Sequence, residues 1–410
     1  MTQQTDSAEA RERGYALVGP VRHRRVLVVF VDALGPSQLE ASGGLGGLTH
    51  RGHLRGILGY SCGALPTLLT GAPPERHGRM CLFSHAEREG GVLAPLKWLG
   101  LLPRLVHERG KLRRAAAKVL MKTAGLTGYV DLYRVPPELF RWLDLPERED
   151  LFNAERIGGV ETFLSVARRA GLRVFAAPWQ MPEEDRWAHT CAVLRARKPD
   201  LAFAYATELD GALHRAGNGS REAWAAARRV TERIERAVEA MRSGGGEVTT
   251  VVVGDHGMAD IRDVVDPRRL LEELRGTRLF VDSTMMRFWG DDRTLERARE
   301  RMAAHGLWGR WLDEEALVKR QAPVRGAPYG QALFVLREGA LFAPSFVGGA
   351  VRGMHGYDLD SPSAYAAIAS DAPVPEDCGA LADVAGWVCS MLGLDVARAG
   401  GETGQHGGPP

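Results

Sequence analysis

A chain of 410 residues exceeds the usual size of one domain, so one large domain carrying an insertion or a cap is expected. Its 45% hydrophobic and 25% charged residues are ordinary for a soluble globular protein that buries a core, and a net charge of +2 makes no general case for an acidic partner. Five cysteines (Cys62, Cys81, Cys191, Cys378 and Cys389), scattered and without a CxxC pair, exclude a disulfide framework and a cysteine-rich zinc finger.

The N-terminal segment MTQQTDSAEARERG is polar, with no apolar h-region, and no run of about 18 apolar residues follows it. Neither a secretory signal nor a membrane span is expected, which leaves the cytoplasm as the expected compartment. Residues 1–20 and the glycine-rich 399–410 are expected to be disordered.

Arg24–Asp32 (RRVLVVFVD) is a continuous β-branched run, the pattern of a strand buried on both faces of a parallel sheet. HLRGILGY, ending at Tyr60, reads as a strand leading into the apolar helical stretch after Ser61 and Cys62. Residues 92–150 lack a buried-strand pattern and hold a basic run. Then come a helix over Glu161–Ala170, strands over Arg173–Pro178 and Leu201–Ala206, a long charged helix over Ser220–Arg242 closed by Gly244–Gly246, and a strand over Val248–Val253. This alternation predicts an α/β fold: a mostly parallel central sheet covered by helices on both faces. Residues 276–346 break it with a strand (RLFVDSTMMRFW), a helix (RTLERARERMAAH) and a hairpin-like pair (QALFVLREGALFAP), which reads as a small α+β cap. The core is then 21–275 and 347–398, with a basic helical insertion at about 92–150.

Ligands of open α/β sheets bind beyond the carboxyl ends of the strands. The first strand ends at Asp32; the third is followed by Asp210 and His214; the fourth ends at Asp255 and His256; His355 stands later in GMHGYD. Each alone has a plain reading, as a turn former, a tight Asp-His-Gly turn or an i,i+4 helical pair. Together, three Asp and three His suit two divalent ions such as zinc or manganese. Ser61 and Cys62 both precede a helix whose free N–H groups favour a phosphoryl oxygen, and Ser61 also has the plain reading of a helix N-cap.

The ordered set Asp32, Ser61 with a TG pair nine residues on, PPERHG, Asp210-x3-His214, Asp255-His256-Gly-Met and His355-Gly-Tyr resembles the alkaline phosphatase superfamily, and within it the type I phosphodiesterase/nucleotide pyrophosphatase branch. The resemblance implies the alkaline phosphatase-like fold and a two-metal phosphohydrolase acting on a phosphate mono- or diester through a phosphoserine intermediate. It selects Ser61 over Cys62 as nucleophile, by the spacing to Thr70. It further implies one ion on Asp210, His214 and His355, and another on Asp32, Asp255 and His256 with Ser61, zinc before manganese. His77 of PPERHG is read as a structural landmark. A sulfatase would need the Pro and Arg that SCGAL lacks. Transfer to an alcohol, or a non-catalytic binding protein on a degenerate fold, stays open.

From Lys97 to Lys122 the chain carries eight Lys or Arg and the single acid Glu108, interleaved with leucines, valines and Trp98. This reads either as a solvated helical face or as an interfacial helix on an anionic membrane surface, with Arg113, Arg114 and Lys118 on the lipid side. The latter implies a peripheral protein and a lipid-linked or amphiphilic ester. A nucleic-acid partner is not expected.

Overall fold

Arg24–Val31 forms β1, and its alternate residues enter opposite cores: Val26, Val28 and Phe30 one, Leu27, Val29 and Val31 the other. A strand covered on both sides keeps no polar face, which is why its sequence is one unbroken apolar run. The computed structural model describes residues 15–17, 24–43, 45–86, 90–103 and 108–396.

After β1 come β2 (His50–Arg55), α1 (Ser61–Thr70), α2 (Gly110–Ala124), α3 (Phe163–Arg169), β3 (Val174–Ala176), α4 (Glu183–Arg197), β4 (Leu201–Ala206), α5 (Glu208–Ala216), α6 (Arg221–Arg242) and β5 (Glu247–Val253). The cap contributes β6 (Arg278–Val281), β7 (Met285–Trp289), α7 (Asp292–Ala304), β8 (Gly309–Leu312) and β9 (Ala332–Leu336); β10 (Tyr365–Ser370) and α8 (Asp383–Met391) return to the core. The central sheet has the order β2-β10-β5-β1-β4-β3. β3, β4, β1 and β5 pair in parallel, and β10 runs antiparallel to both of its neighbours, β5 and β2. Helices α1, α3 and α8 pack on one face and α4, α5 and α6 on the other. The mixed α/β class is the expected one.

Thr162 and Ser220 cap α3 and α6 by accepting from Ser165 N and Ala223 N at 3.2 and 3.1 Å, each worth about 1 kcal/mol. The strand expected up to Tyr60 stops at Arg55, where its pairing with β10 ends; Gly59, at φ 123°, turns the chain toward α1.

Two expectations for the cap are corrected. RLFVDSTMMRFW is not one strand but the hairpin β6–β7, turned at Asp282–Thr284, with Asp282 N donating to Met285 O at 2.9 Å. The polar Asp-Ser-Thr triplet inside an apolar run was the turn signal. QALFVLREGALFAP does not form a hairpin. β9 already pairs with β7 on one edge and β8 on the other, so Ala340–Phe342 finds its partner elsewhere, in parallel with Asp263–Val265.

The 92–150 insertion holds 3₁₀ turns at Ala94–Leu101 and Pro137–Arg141 besides α2. Leu120, Leu132, Phe140 and Trp142 share one apolar cluster with Phe280 and Trp289 of the cap, so insertion and cap pack as a unit. Arg113 faces this interior and not a lipid side: it is buried and donates to Leu132 O and Val135 O at 3.3 and 2.7 Å. Residues 104–107 of the basic stretch lie outside the described residues, as do the 399–410 tail and all of 1–20 except Tyr15–Leu17, which pairs with Leu394–Val396. No helix among the described residues is long and apolar enough to cross a membrane.

Candidate active site

The parallel strands deliver their carboxyl ends to one edge of the sheet. β1 brings Asp32 there, β4 leads into α5 with Asp210 and His214, and β5 leads to Asp255 and His256. β2 runs the same way and feeds the loop to Ser61. Because β10 is antiparallel, its amino end lies at this edge, and the preceding segment brings His355. Ala33, in the left-handed region at φ 62°, turns the chain so that its N–H donates to Asp255 Oδ1 at 3.0 Å. A non-glycine residue held there is backbone strain of order 1–3 kcal/mol, a feature that concentrates at functional sites.

Ser61 is the first residue of α1, and Tyr60 holds the N-cap position, so the Ser61 hydroxyl is not a cap. Its Oγ lies 3.3 Å from Asp32 Oδ1 and 3.1 Å from His256 Nε2. His256 Nε2 is also 3.1 Å from Asp255 Oδ2 and 3.6 Å from Asp32 Oδ1. Cys62 also borders the cavity, but its Sγ lies 3.7 Å from Met80 O and burial pushes the thiol well up. On the other side His214 Nε2 is 3.1 Å and His355 Nε2 3.8 Å from Asp210 Oδ1. The two sets meet where the His256 and His355 rings stack, 3.6 Å between centroids. Asp210 belongs to both: ligand atoms of Asp210, His214 and His355 lie within 4.8 Å of one another, and so do those of Asp32, Asp210 and His256.

Tautomers are set from behind. The Nδ1–H of His256 donates to Gly257 O and that of His214 to Gly353 O, each at 2.8 Å. With both rings neutral, each bare Nε2 lone pair therefore faces a carboxylate oxygen, and Asp210 Oδ1 and Asp255 Oδ2 are buried without a hydrogen-bond partner. Lone pairs of N and O converging in a buried space call for a cation or a proton. Without a metal, a proton takes that place: burial lowers the His256 imidazolium, but Asp255, Asp32 and Asp210 outweigh it and raise it to about 9. Burial, then Asp255 and Asp210, push Asp32 well above the usual carboxylate range. Burial and the charges of His256 and His214 keep His355 neutral.

These residues open into a cavity of about 590 Å³. Asp32, Ser61, Asp210, His214 and His355 line it directly, while Asp255 and His256 stand behind Ser61 and Asp32. Tyr129, Tyr133 and Glu147 come from the insertion, Phe152 and Trp179 from the core, and Val347 and Val351 from the segment after the cap. No Lys or Arg among the described residues lines it. Burial raises Glu147 to about 7.

Residues 59–358, well over half of the chain, match the sequence model of type I phosphodiesterase / nucleotide pyrophosphatase. The chain belongs to this family. Murine ectonucleotide pyrophosphatase/phosphodiesterase 5 has the same fold, with a TM-score of 0.64 at 16% identity over 92% of this chain and 97% of that one. Its inactive variant in complex with AMP gives 0.63 at 17% identity, with 92% and 97% covered. The human protein gives 0.64 at 13% identity, again with 92% and 97% covered. No curated protein matches the chain in sequence.

As a type I phosphodiesterase the chain is a phosphoric ester hydrolase of a metal-dependent family. All seven residues singled out in the sequence fall within this one site. His77 does not: its Nε2 meets Thr67 Oγ1 at 2.9 Å beneath α1, and burial, with Arg79 nearby, lowers it to about 3. Sequence reasoning missed Tyr205, whose hydroxyl donates to Asp32 Oδ2 at 3.1 Å, and Thr284, whose hydroxyl meets that of Tyr60 at 2.9 Å. Tyr205 left a signal as the polar atom within the run LAFAYA.

Proposed function

We propose that the chain hydrolyses a phosphodiester through a covalent phosphoserine on Ser61. The observation that carries this reading is the Ser61 hydroxyl, 3.1–3.3 Å from His256 Nε2 and Asp32 Oδ1 among three carboxylates and three imidazoles, all buried except the half-buried Asp210 and His214. The donor set suits two divalent ions, zinc first and manganese second: Asp210, His214 and His355 would hold one, and Asp32, Asp255 and His256 the other, with Asp210 near both. Bound there, the ions would supply positive charge that activates the Ser61 hydroxyl and offsets charge building on the phosphoryl oxygens. Ser61 Oγ attacks phosphorus, the bond to one alcohol breaks, that alcohol leaves with the proton the hydroxyl gives up, and the other alcohol stays esterified on the phosphoserine. Water then attacks the phosphoserine, the Oγ–P bond breaks, and a phosphomonoester departs. The first turn of α1 leaves N–H groups beside Ser61 free to meet a phosphoryl oxygen.

A diester monoanion is favoured over a monoester or polyphosphate by the lining. Beyond Asp32 and Asp210, which the ions would neutralise, the cavity adds Glu147 and Asp282 and no Lys or Arg among the described residues, so nothing outside the metal positions is placed to meet extra anionic charge. Leu65, Leu82, Leu151, Phe152, Val347 and Val351 favour an amphiphilic or lipid-linked alcohol arm, and an anionic lipid surface would present such an ester. Each methylene buried there contributes about 0.8 kcal/mol, roughly fourfold in kcat/KM. The five unpaired thiols support a cytoplasmic setting.

The test is mass spectrometry of the protein quenched during turnover of an aryl alkyl phosphodiester, with zinc, manganese or magnesium added to chelated protein. An alkyl phosphate esterified to Ser61, and its loss with all turnover in Ser61→Ala, is expected. Full activity in Ser61→Ala with loss in Cys62→Ala would overturn the assignment.

A further inference from the structure

The insertion that walls the cavity also turns an unusual surface outward. On α2 the exposed residues include Lys111, Arg114, Lys118 and Lys122, at the three- and four-residue spacing of one helical face. The opposite face buries Arg113, Ala117 and Leu120 in the core that the insertion shares with the cap. The helix contains no acid, and none of these four cations forms an ion pair among the described residues. Elsewhere exposed arginines do find acids, as Arg148 pairs with Asp144 and Arg229 with Glu208. Unpaired like charges on one helix repel, so an external anion would stabilise this face.

The same insertion also exposes apolar groups. Trp98 is 62% exposed, Leu101 78%, Leu102 39% and Val119 62%, while Lys97 lies over the Trp98 ring at 5.1 Å. Leu96 and Leu120 of these two elements meet in the same apolar cluster. A nucleic acid would satisfy the lysines and stack on Trp98, but it offers nothing to Leu101, Leu102 and Val119. Hydrocarbon beneath anionic headgroups offers something to all of them.

We propose that this face, the Ala94–Leu101 turn with the outer side of α2, seats the enzyme on an anionic lipid surface. The cations contribute roughly fivefold each to binding, and the apolar residues enter the headgroup boundary. Tyr129 and Tyr133 follow α2 by a few residues and line the cavity, so the seated element is continuous with the wall past which an ester would reach Ser61. That last step rests on the phosphodiesterase reading; the binding itself does not.

The experiment is co-sedimentation of the full chain with vesicles of phosphatidylcholine alone, and of equal parts phosphatidylcholine and phosphatidylglycerol. Binding to the anionic vesicles only, weakened at high salt, is expected. The quadruple variant Lys111→Glu, Arg114→Glu, Lys118→Glu, Lys122→Glu should lose at least a hundredfold in affinity, with an unchanged melting transition and unchanged hydrolysis of a soluble aryl diester. Trp98→Ala with Leu101→Ala should weaken binding while leaving its salt dependence in place. Equal binding to both vesicles, or undiminished binding by the quadruple variant, overturns the proposal. So does binding to single-stranded nucleic acid that matches the anionic vesicles and ignores the Trp98 and Leu101 changes. Vesicle binding in a chain without diesterase activity would refute only the catalytic reading.

Discussion

Replacing Tyr205 by Phe removes one oxygen and tests whether the carboxylate of Asp32 is held for a cation. The Tyr205 hydroxyl donates to Asp32 Oδ2 at 3.1 Å, and Asp32 is 7% exposed, so water is poorly placed to substitute. A hydrogen bond to a charged acceptor contributes about 1.5–3 kcal/mol. Partners of this kind behind a metal ligand change metal affinity or activity by roughly 10–100-fold, and the two estimates agree. The ring itself stays packed, 5.4 Å from Phe30 and 5.9 Å from Phe152 between centroids, so the melting temperature should move little. Losing a donor that favours the charged form raises Asp32 further above the usual carboxylate range, so zinc affinity of the variant should fall more steeply as pH drops. The assay is competition for zinc with a chromophoric chelator, alongside kcat/KM at saturating metal. If Tyr205→Phe binds zinc as tightly as the parent at every pH and turns over within twofold of it, Asp32 is not positioned by this bond.

Proton linkage gives a second test. In the metal-free chain the imidazolium of His256, raised to about 9, must be lost before its Nε2 meets an ion, so below that pH zinc binding releases a proton. Affinity should then rise with pH up to about 9; calorimetry in two buffers of different ionisation enthalpy reads the released proton, and no buffer dependence at pH 7 refutes it. A third concerns the cap: Arg287 is fully buried, donates to Asp282 Oδ2 at 2.6 Å and to Phe83 O at 2.7 Å, and Arg287→Met should lower stability by about 3–5 kcal/mol by stranding Asp282. Urea denaturation of Arg287→Met and of Arg287→Met with Asp282→Leu checks this; the double variant should recover most of the loss.

Much of the site was legible because its residues sit where a parallel sheet must put them. Asp32, Asp210, Asp255 and His256 each follow an apolar run closely, and strand direction alone sends such positions to one edge. His355 is legible only through its motif, since nothing local announces that the strand after it runs antiparallel. Strand pairing was the weakest point. Ala340–Phe342 is apolar enough to be any strand's neighbour, and only the prior occupation of both edges of β9 sends it to Asp263–Val265. Arg113 illustrates the limit for charge patterns: it belongs to a basic run, yet helical phase turns it inward to two carbonyls. The cavity wall was illegible because Tyr129, Tyr133 and Glu147 come from a segment with no motif, placed by packing against the cap.

The same packing ties the cap, through one hydroxyl, to the two segments that carry Ser61 and His355. Thr284, in the β6–β7 turn, donates to Gly356 O at 2.6 Å, and its oxygen then accepts from the Tyr60 hydroxyl at 2.9 Å. Tyr60 immediately precedes Ser61, and Gly356 immediately follows His355. Gly356 stands at φ 85°, and a Cβ there would lie 2.5 Å from the Tyr60 ring, so the two segments touch where Thr284 joins them. Thr284→Val keeps the shape and removes the hydroxyl, leaving the Gly356 carbonyl without its donor and the Tyr60 O–H without its acceptor, while the phenol oxygen still accepts from the N–H of residue 284 at 3.3 Å; the loss costs about 1–3 kcal/mol. If the bond only supports folding, denaturation falls and kcat does not. If it positions Ser61 against His355, kcat falls by tenfold or more with KM little changed, and Thr284→Ser restores most of it. A Thr284→Val enzyme that melts earlier but turns over like the parent would reduce Thr284 to a structural tie.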